Sequence, residues 1–247
     1  MPRLMICLLW LCLTGCARAG EVQVAVAANF AGPMERLAEG FTAATGHTAK
    51  VSVGSTGKFY TQIQAGAPFD VLLAADSDTP KKLVAEGRAQ PGSNFTYALG
   101  KLVLWSAQPG FVDPQGAVLA AGHYTHLAIA NPKLAPYGEA AVQVIKAMNL
   151  TGSLAPKLVT AESIGQAYQF VATGNAELGF VALSQVAVPG KAVPGSYWLV
   201  PATLYVELRQ DAVILQPGAV NPAAAALMSY LRSESARRLI QSFGYGL

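Results

Sequence analysis

The sequence predicts an α/β fold with mainly parallel sheets flanked by helices. Three observations carry this. Short β-branched or apolar runs alternate with stretches of helical spacing from Val22 to Phe243. Val71–Ala75 (VLLAA) is a continuous apolar run bounded by Asp70 and Asp76, as expected of a strand covered on both faces. No period of 20–50 residues repeats, so the chain is not a solenoid.

The elements follow in order. Val22–Ala27 (VQVAVA) is a β-branched strand. Pro33–Thr45 is a helix, with Met34, Leu37 and Phe41 on one face and Gly46 as its stop. Lys50–Val53 is a second strand, and Thr56–Ala65 carries Phe59 and Ile63 at helical spacing. Pro80–Glu86 is a short helix capped by Asp78 or Thr79, while Asp76 ends the strand before it. Leu102–Ser106, Leu127–Ala130, Leu178–Leu183 and Ala212–Leu215 are strands. Glu139–Met148, Ile164–Ala172, Ala223–Arg232 and Glu234–Phe243 are helices. Two stretches, Thr96–Lys101 and Val188–Pro201, interrupt the pattern. If both are crossovers, the middle of the chain forms one lobe and its two ends the other.

The first 19 of the 247 residues read as a signal peptide. Arg3 supplies the positive end, and Leu4–Leu13 the apolar core, too short to span a bilayer. Ala17-Arg18-Ala19 is an A-x-A cleavage site. Leu13-Thr14-Gly15-Cys16 is a competing lipobox that would leave Cys16 lipidated. The strand-like run at Val22 leaves almost no tether after Cys16, which favours the soluble form. All three cysteines (Cys7, Cys12, Cys16) lie in this segment. From Gly20 onward there is no disulfide framework, no cysteine metal site and no thiol nucleophile. That part carries 15 basic and 14 acidic residues, too little positive charge for a nucleic-acid binder.

Ligands of open α/β sheets bind beyond the carboxyl ends of the strands. Four junctions there carry one kind of chemistry: Ala28-Asn29-Phe30, Gly54-Ser55-Thr56-Gly57-Lys58, Pro136-Tyr137-Gly138 and Glu162-Ser163-Ile164-Gly165. Each offers unpaired backbone N–H groups at a helix start. Any one alone is best read as an ordinary cap. Four at the same end of the sheets point to a small, multi-oxygen anion.

Competing motifs mostly fail. A P-loop needs a serine or threonine where Phe59 stands and a glycine where Ser52 stands. Ser55 and Lys58 have S-x-x-K spacing, but no K-T-G follows, and Ser77-Asp78-Thr79 is not S-D-N. His123 and His126 lack a third ligand and read as loop histidines. Tyr168 and Phe170 read as core and rim residues.

Further segments stand out beside these junctions: Val26-Ala27-Ala28-Asn29-Phe30, the Gly54–Lys58 loop, and Ala65-Gly66-Ala67-Pro68-Phe69-Asp70 leading to Ala74-Ala75-Asp76, with Tyr97–Trp105 and Leu178-Gly179-Phe180-Val181. On these residues the chain resembles the periplasmic molybdate-binding proteins of ABC importers. The resemblance implies two α/β lobes, 20–98 with 206–247 and 99–205, with one oxyanion held in the cleft between them. Its binding positions fall on Ala28, Asn29 and Thr56 in the first lobe. In the second they fall on Tyr137 and on Ile164 through its backbone N–H. Some members have serine at the first two positions and a binding tyrosine where this chain has Ala182. This chain looks like the branch with asparagine first and Tyr137 in the second lobe, which leaves donors near Ala182–Gln185 open.

The implied ligand is molybdate or tungstate, with no cofactor, no direct metal ligand, and no catalysis. The implied partner is an inner-membrane permease, and the protein is expected to be monomeric and periplasmic. Molybdate is deprotonated at neutral pH and only accepts hydrogen bonds, so N–H, amide and hydroxyl donors match it. The alternatives are the same scaffold holding sulfate, phosphate or a carboxylate, and a secreted serine hydrolase using Ser55 and Lys58.

Overall fold

The computed structural model describes residues 19–247. The leader reading, with Cys16 and the other cysteines, lies outside the described residues. Ten strands form two five-stranded sheets. The chain runs β1 (Glu21–Ala27), α1 (Ala31–Thr45), β2 (Thr48–Gly54), α2 (Thr56–Gln64), β3 (Val71–Leu73), α3 (Asp78–Ala85) and β4 (Phe95–Gly100). It crosses to the second sheet with β5 (Leu102–Ser106), α4 (Val118–Ala121), β6 (Leu127–Ala130), α5 (Pro136–Ala147), α6 (Thr151–Leu154) and β7 (Leu158–Ala161). There follow α7 (Ile164–Ala172), β8 (Leu178–Ala182), α8 (Leu183–Val186) and β9 (Ser196–Leu199). The chain then returns to the first sheet with β10 (Leu208–Ile214), α9 (Pro222–Leu231) and α10 (Glu234–Ser242).

The two sheets share one topology. Their orders are β2-β1-β3-β10-β4 and β7-β6-β8-β5-β9. In each, three neighbouring strands run parallel and the fourth opposes them. The fifth pairs antiparallel with the fourth, so it runs with the first three. The opposing strands, β10 and β5, are the ones the chain enters on crossing between sheets. Gly100 at the end of β4 pairs with Leu208 at the start of β10, so the two crossings lie side by side.

The period of two along β1 sorts its side chains. Val22, Val24 and Val26 face Phe30, Met34, Leu37 and Phe41, together with Leu227 and Ile240. Ala25 points the other way, toward Phe59, Ile63, Leu72 and Leu83. The first sheet is thus covered on both faces, which is why its central strands read as nearly continuous apolar runs. Each fully buried large side chain here contributes roughly 1.5–3 kcal/mol.

Several boundaries differ from the sequence reading. Strands β4 and β9 occupy the stretches read as interruptions. Both pair antiparallel at or near a sheet edge, where Gly and Pro neighbours break the apolar pattern. Helix α5 begins at Pro136 rather than Glu139, because a proline in the first turn has its φ already set and no N–H to lose. Helix α3 begins at Asp78. The acid that serves its first turn is Asp76, which accepts from the Thr79 N–H at 2.7 Å and the Thr79 hydroxyl at 3.1 Å. Strand β7 precedes the Glu162–Gly165 junction and is absent from the strands read in the sequence. Among the described residues, no helix is long and apolar enough to cross a membrane.

Candidate functional site

The parallel strands of both sheets end toward each other, and the turns that leave them meet. Ala28 and Asn29 follow β1 in a single 3-10 turn (Ala28–Phe30). Gly54, Ser55 and Thr56 join β2 to α2. Tyr137 lies in the first turn of α5, after β6, and Ile164 opens α7, after β7. These residues, with Ala27, Ala75, Ala135 and Pro136, line one cavity of about 10 Å³, room for about one water-sized sphere. The structure therefore brings together all five residues singled out in the sequence: Ala28, Asn29, Thr56, Tyr137 and Ile164.

The local folding explains the donors. The first N–H groups of a helix have no partner within it. The starts of α2, α5 and α7 converge on the cavity, and each carries the partial positive charge of a helix N-terminus. At α2, the Gly57 N–H reaches across to the Leu134 carbonyl at 2.9 Å, tying the two halves together beside the cavity. At α7, Ser163 is a regular N-cap, its hydroxyl accepting from Gln166 N–H at 3.2 Å. Gln185 accepts from Ala182 N–H at 2.9 Å and donates to the Ile164 carbonyl at 3.1 Å. The Gln185 amide thus links the end of β8 to the start of α7.

The side chains divide by role. Thr56, almost fully buried, accepts from Ala75 N–H at 3.0 Å, which leaves its hydroxyl hydrogen to give. Asn29 differs from the expectation of a donating amide. Its Nδ2 donates to Gln210 Oε1 and to the Tyr245 hydroxyl, both at 2.9 Å, so both amide hydrogens are used inside the protein. Its Oδ1 has no partner among the described residues, nor has the Ser55 hydroxyl. Tyr137, though it lines the cavity, has its hydroxyl seated against the first sheet, where it accepts from Gln210 Nε2 at 3.0 Å. Asn29 and Tyr137 thus face the cavity with helix-start backbone and the protein interior with their side chains.

Behind the cavity lies a buried polar network. Gln210, fully buried in β10, also accepts from Tyr97 at 3.1 Å. Tyr245 lies 2.9 Å from both the Asn29 carbonyl and the Ser184 hydroxyl, and Ser184 donates to that carbonyl at 2.8 Å. Burial pushes the pKa of Tyr97, Tyr137 and Tyr245 above the ordinary tyrosine value, so all three stay neutral. Ser184, Gln210 and Tyr245 escaped the sequence reading, which named Ser55 only within the Gly54–Lys58 junction and as a candidate hydrolase serine. For Gln210 a signal existed, a lone amide in the otherwise strand-like Leu208–Ile214.

Among the described residues, no carboxylate and no cation lines the cavity. Lys58 and Glu162 form an ion pair at the rim, across the two halves, with side chains 45% and 70% exposed. The Ser55 hydroxyl makes no hydrogen bond to Lys58, whose ammonium pairs with Glu162 instead. His126 stands 3.9 Å from Glu177. Among the described residues, no group of three or more His, Cys, Asp or Glu side chains could hold a metal ion.

Two like sheets, crossed twice by the chain and closing over a pocket of helix starts and neutral donors, define a two-lobed ligand-binding protein. The chain belongs to the family of bacterial extracellular solute-binding proteins, whose model matches residues 22–246. It is 61% identical over 231 residues to the molybdate-binding protein ModA of Azotobacter vinelandii, covering 94% of this chain and 92% of that one. It is 54% identical over 229 residues to the molybdate-binding protein ModA of Rhodobacter capsulatus, covering 93% and 89%. The solved structure of an Azotobacter vinelandii periplasmic molybdate-binding protein superposes with a TM-score of 0.90 at 46% identity, over 92% of this chain and 99% of that one.

Proposed function

We propose that this protein captures molybdate, and tungstate with it, in the periplasm and delivers it to the permease of an ABC importer. The observation that carries this is the donor-only cavity. Helix starts from both halves and the Thr56 hydroxyl face a space that no carboxylate lines. A dianion whose oxygens only accept hydrogen bonds is matched there by N–H and O–H groups and by helix dipoles. Relatives named as molybdate-binding at 61% and 54% identity support the choice of anion.

In this reading the backbone of Ala28 and Asn29 and the Thr56 side chain bind from one lobe, 20–98 with 206–247. Tyr137 and the Ile164 N–H bind from the other, 99–205. Closure removes water, strengthens these charge-assisted bonds and forms the surface that the permease reads. The protein acts as an exported monomer with no cofactor and no catalytic step. Sulfate is smaller, so a site sized for molybdate leaves some donors too far away for good bonds.

The test is calorimetric titration of the exported form with molybdate, tungstate, sulfate and phosphate. One-to-one binding of the first two, with sulfate weaker by orders of magnitude, is expected. Equal affinity for sulfate overturns the assignment.

A further inference from the structure

Ser55 stands at the N-cap of α2 with extended backbone, φ −84° and ψ 148°, the position where a serine hydroxyl ordinarily accepts an N–H of the first turn. Here it does not: its side chain makes no capping bond. The residue is 3% exposed, and its buried hydroxyl has no partner among the described residues. The residue lines the same cavity as Asn29 and Thr56. A hydroxyl shut away from water without a partner is destabilising, and native structures seldom keep one without a use.

The other buried side-chain atom without a partner among the described residues, Asn29 Oδ1, is an acceptor and has nothing to offer an oxyanion. Ser55 Oγ carries a hydrogen. We propose that Ser55 is a direct hydroxyl donor to the bound oxyanion, beside Thr56, and that the ligand supplies the partner its hydroxyl otherwise lacks. This rests on the reading of the cavity as an oxyanion site, and it adds a residue to the donor set rather than restating it. In this assignment Ser55 gives up capping its own helix in order to bind. The ligand-free protein carries the cost and the complex recovers it.

That trade gives the test a distinctive sign. Ser55→Ala is expected to weaken molybdate binding about ten- to a hundredfold, the range for one hydrogen bond to a charged partner. The thermal midpoint of the ligand-free protein should stay unchanged or rise, because the orphaned hydroxyl is gone. Ser55→Cys, of similar shape but a weaker donor, should fall between wild type and Ser55→Ala. A lowered ligand-free midpoint with unchanged affinity would make Ser55 a cap and overturn the proposal. So would unchanged affinity alone. The wild-type anion titration is run first. Binding of sulfate or phosphate but not molybdate overturns the choice of anion, and the Ser55 comparison is then made with the anion that binds. Binding of none of the four overturns both readings.

Discussion

Gln210 Nε2 donates to the Tyr137 hydroxyl across 3.0 Å, joining β10 of the first sheet to α5 of the second. The oxygen of the same amide accepts from Asn29 Nδ2 at 2.9 Å. One fully buried side chain therefore holds a cavity residue from each half in register. Replacing it takes the partner from the Tyr137 hydroxyl and one of two acceptors from the Asn29 amide, while the Tyr97 hydroxyl keeps the Ala74 carbonyl. Gln210→Met should destabilise the protein by about 1–3 kcal/mol. Tyr137→Phe removes the same contact from the other side, so the two effects should be less than additive. Denaturant unfolding of wild type, both single variants and the double variant measures this. Strict additivity would reduce the contact to coincidence.

Thr56 serves two partners, accepting from Ala75 N–H while keeping a hydrogen for the cavity. Thr56→Ala should weaken molybdate binding by about 1.5–3 kcal/mol, as for a hydrogen bond to a charged group. It should also lower stability, because the buried Ala75 N–H loses its acceptor. Thr56→Ser should preserve both. Calorimetry and thermal unfolding of the two variants separate the roles. A stability loss with unchanged affinity would make Thr56 structural only.

Lys58 is the tempting cation beside a glycine loop, yet it pairs with Glu162 at an exposed rim. Lys58→Ala should change molybdate affinity by less than about 1 kcal/mol, and the difference should shrink as salt is raised. The readout is affinity at low and high ionic strength. A larger loss that persists in salt would put Lys58 in contact with the anion.

Burial holds Tyr97, Tyr137 and Tyr245 protonated beyond the ordinary tyrosine value of 10.0. In the unfolded chain they ionise near that value, while in the folded protein they do not. Their contribution is fully present below about pH 10 and is lost as pH rises further, because the unfolded state is then the one that has released protons. The thermal midpoint should fall steeply above about pH 10. Tyr245→Phe should start from a lower stability but fall less steeply. An equal slope in the variant would mean that Tyr245 ionises as freely folded as unfolded.

What the sequence reveals here follows the range of the interaction. Strand β1 and helices α1 and α7 are local patterns, and their residues announce them. Ala28, Asn29, Thr56, Tyr137 and Ile164 could be picked out because a helix start beyond a strand end is also a local feature. Strand β4 was hidden because its pairing with β10 stabilises a segment whose own pattern is mixed. Gln210, Tyr245 and Ser184 were hidden because their meaning comes from Asn29, which lies 181, 216 and 155 residues away. Ser55 was seen, but its missing cap is visible only in three dimensions.

Those same separations have a kinetic meaning. The bonds that frame the cavity close the longest loops in the molecule, and long-range closures must give up chain entropy before any contact rewards it. The cavity is therefore expected to form late, on the native side of the folding barrier. A chain still in transit, or partly folded, has strands and helices but no grip on an anion. A ligand bound to such a late-formed cavity leaves the folding rate unchanged and slows unfolding, because it must leave before the framing bonds can open.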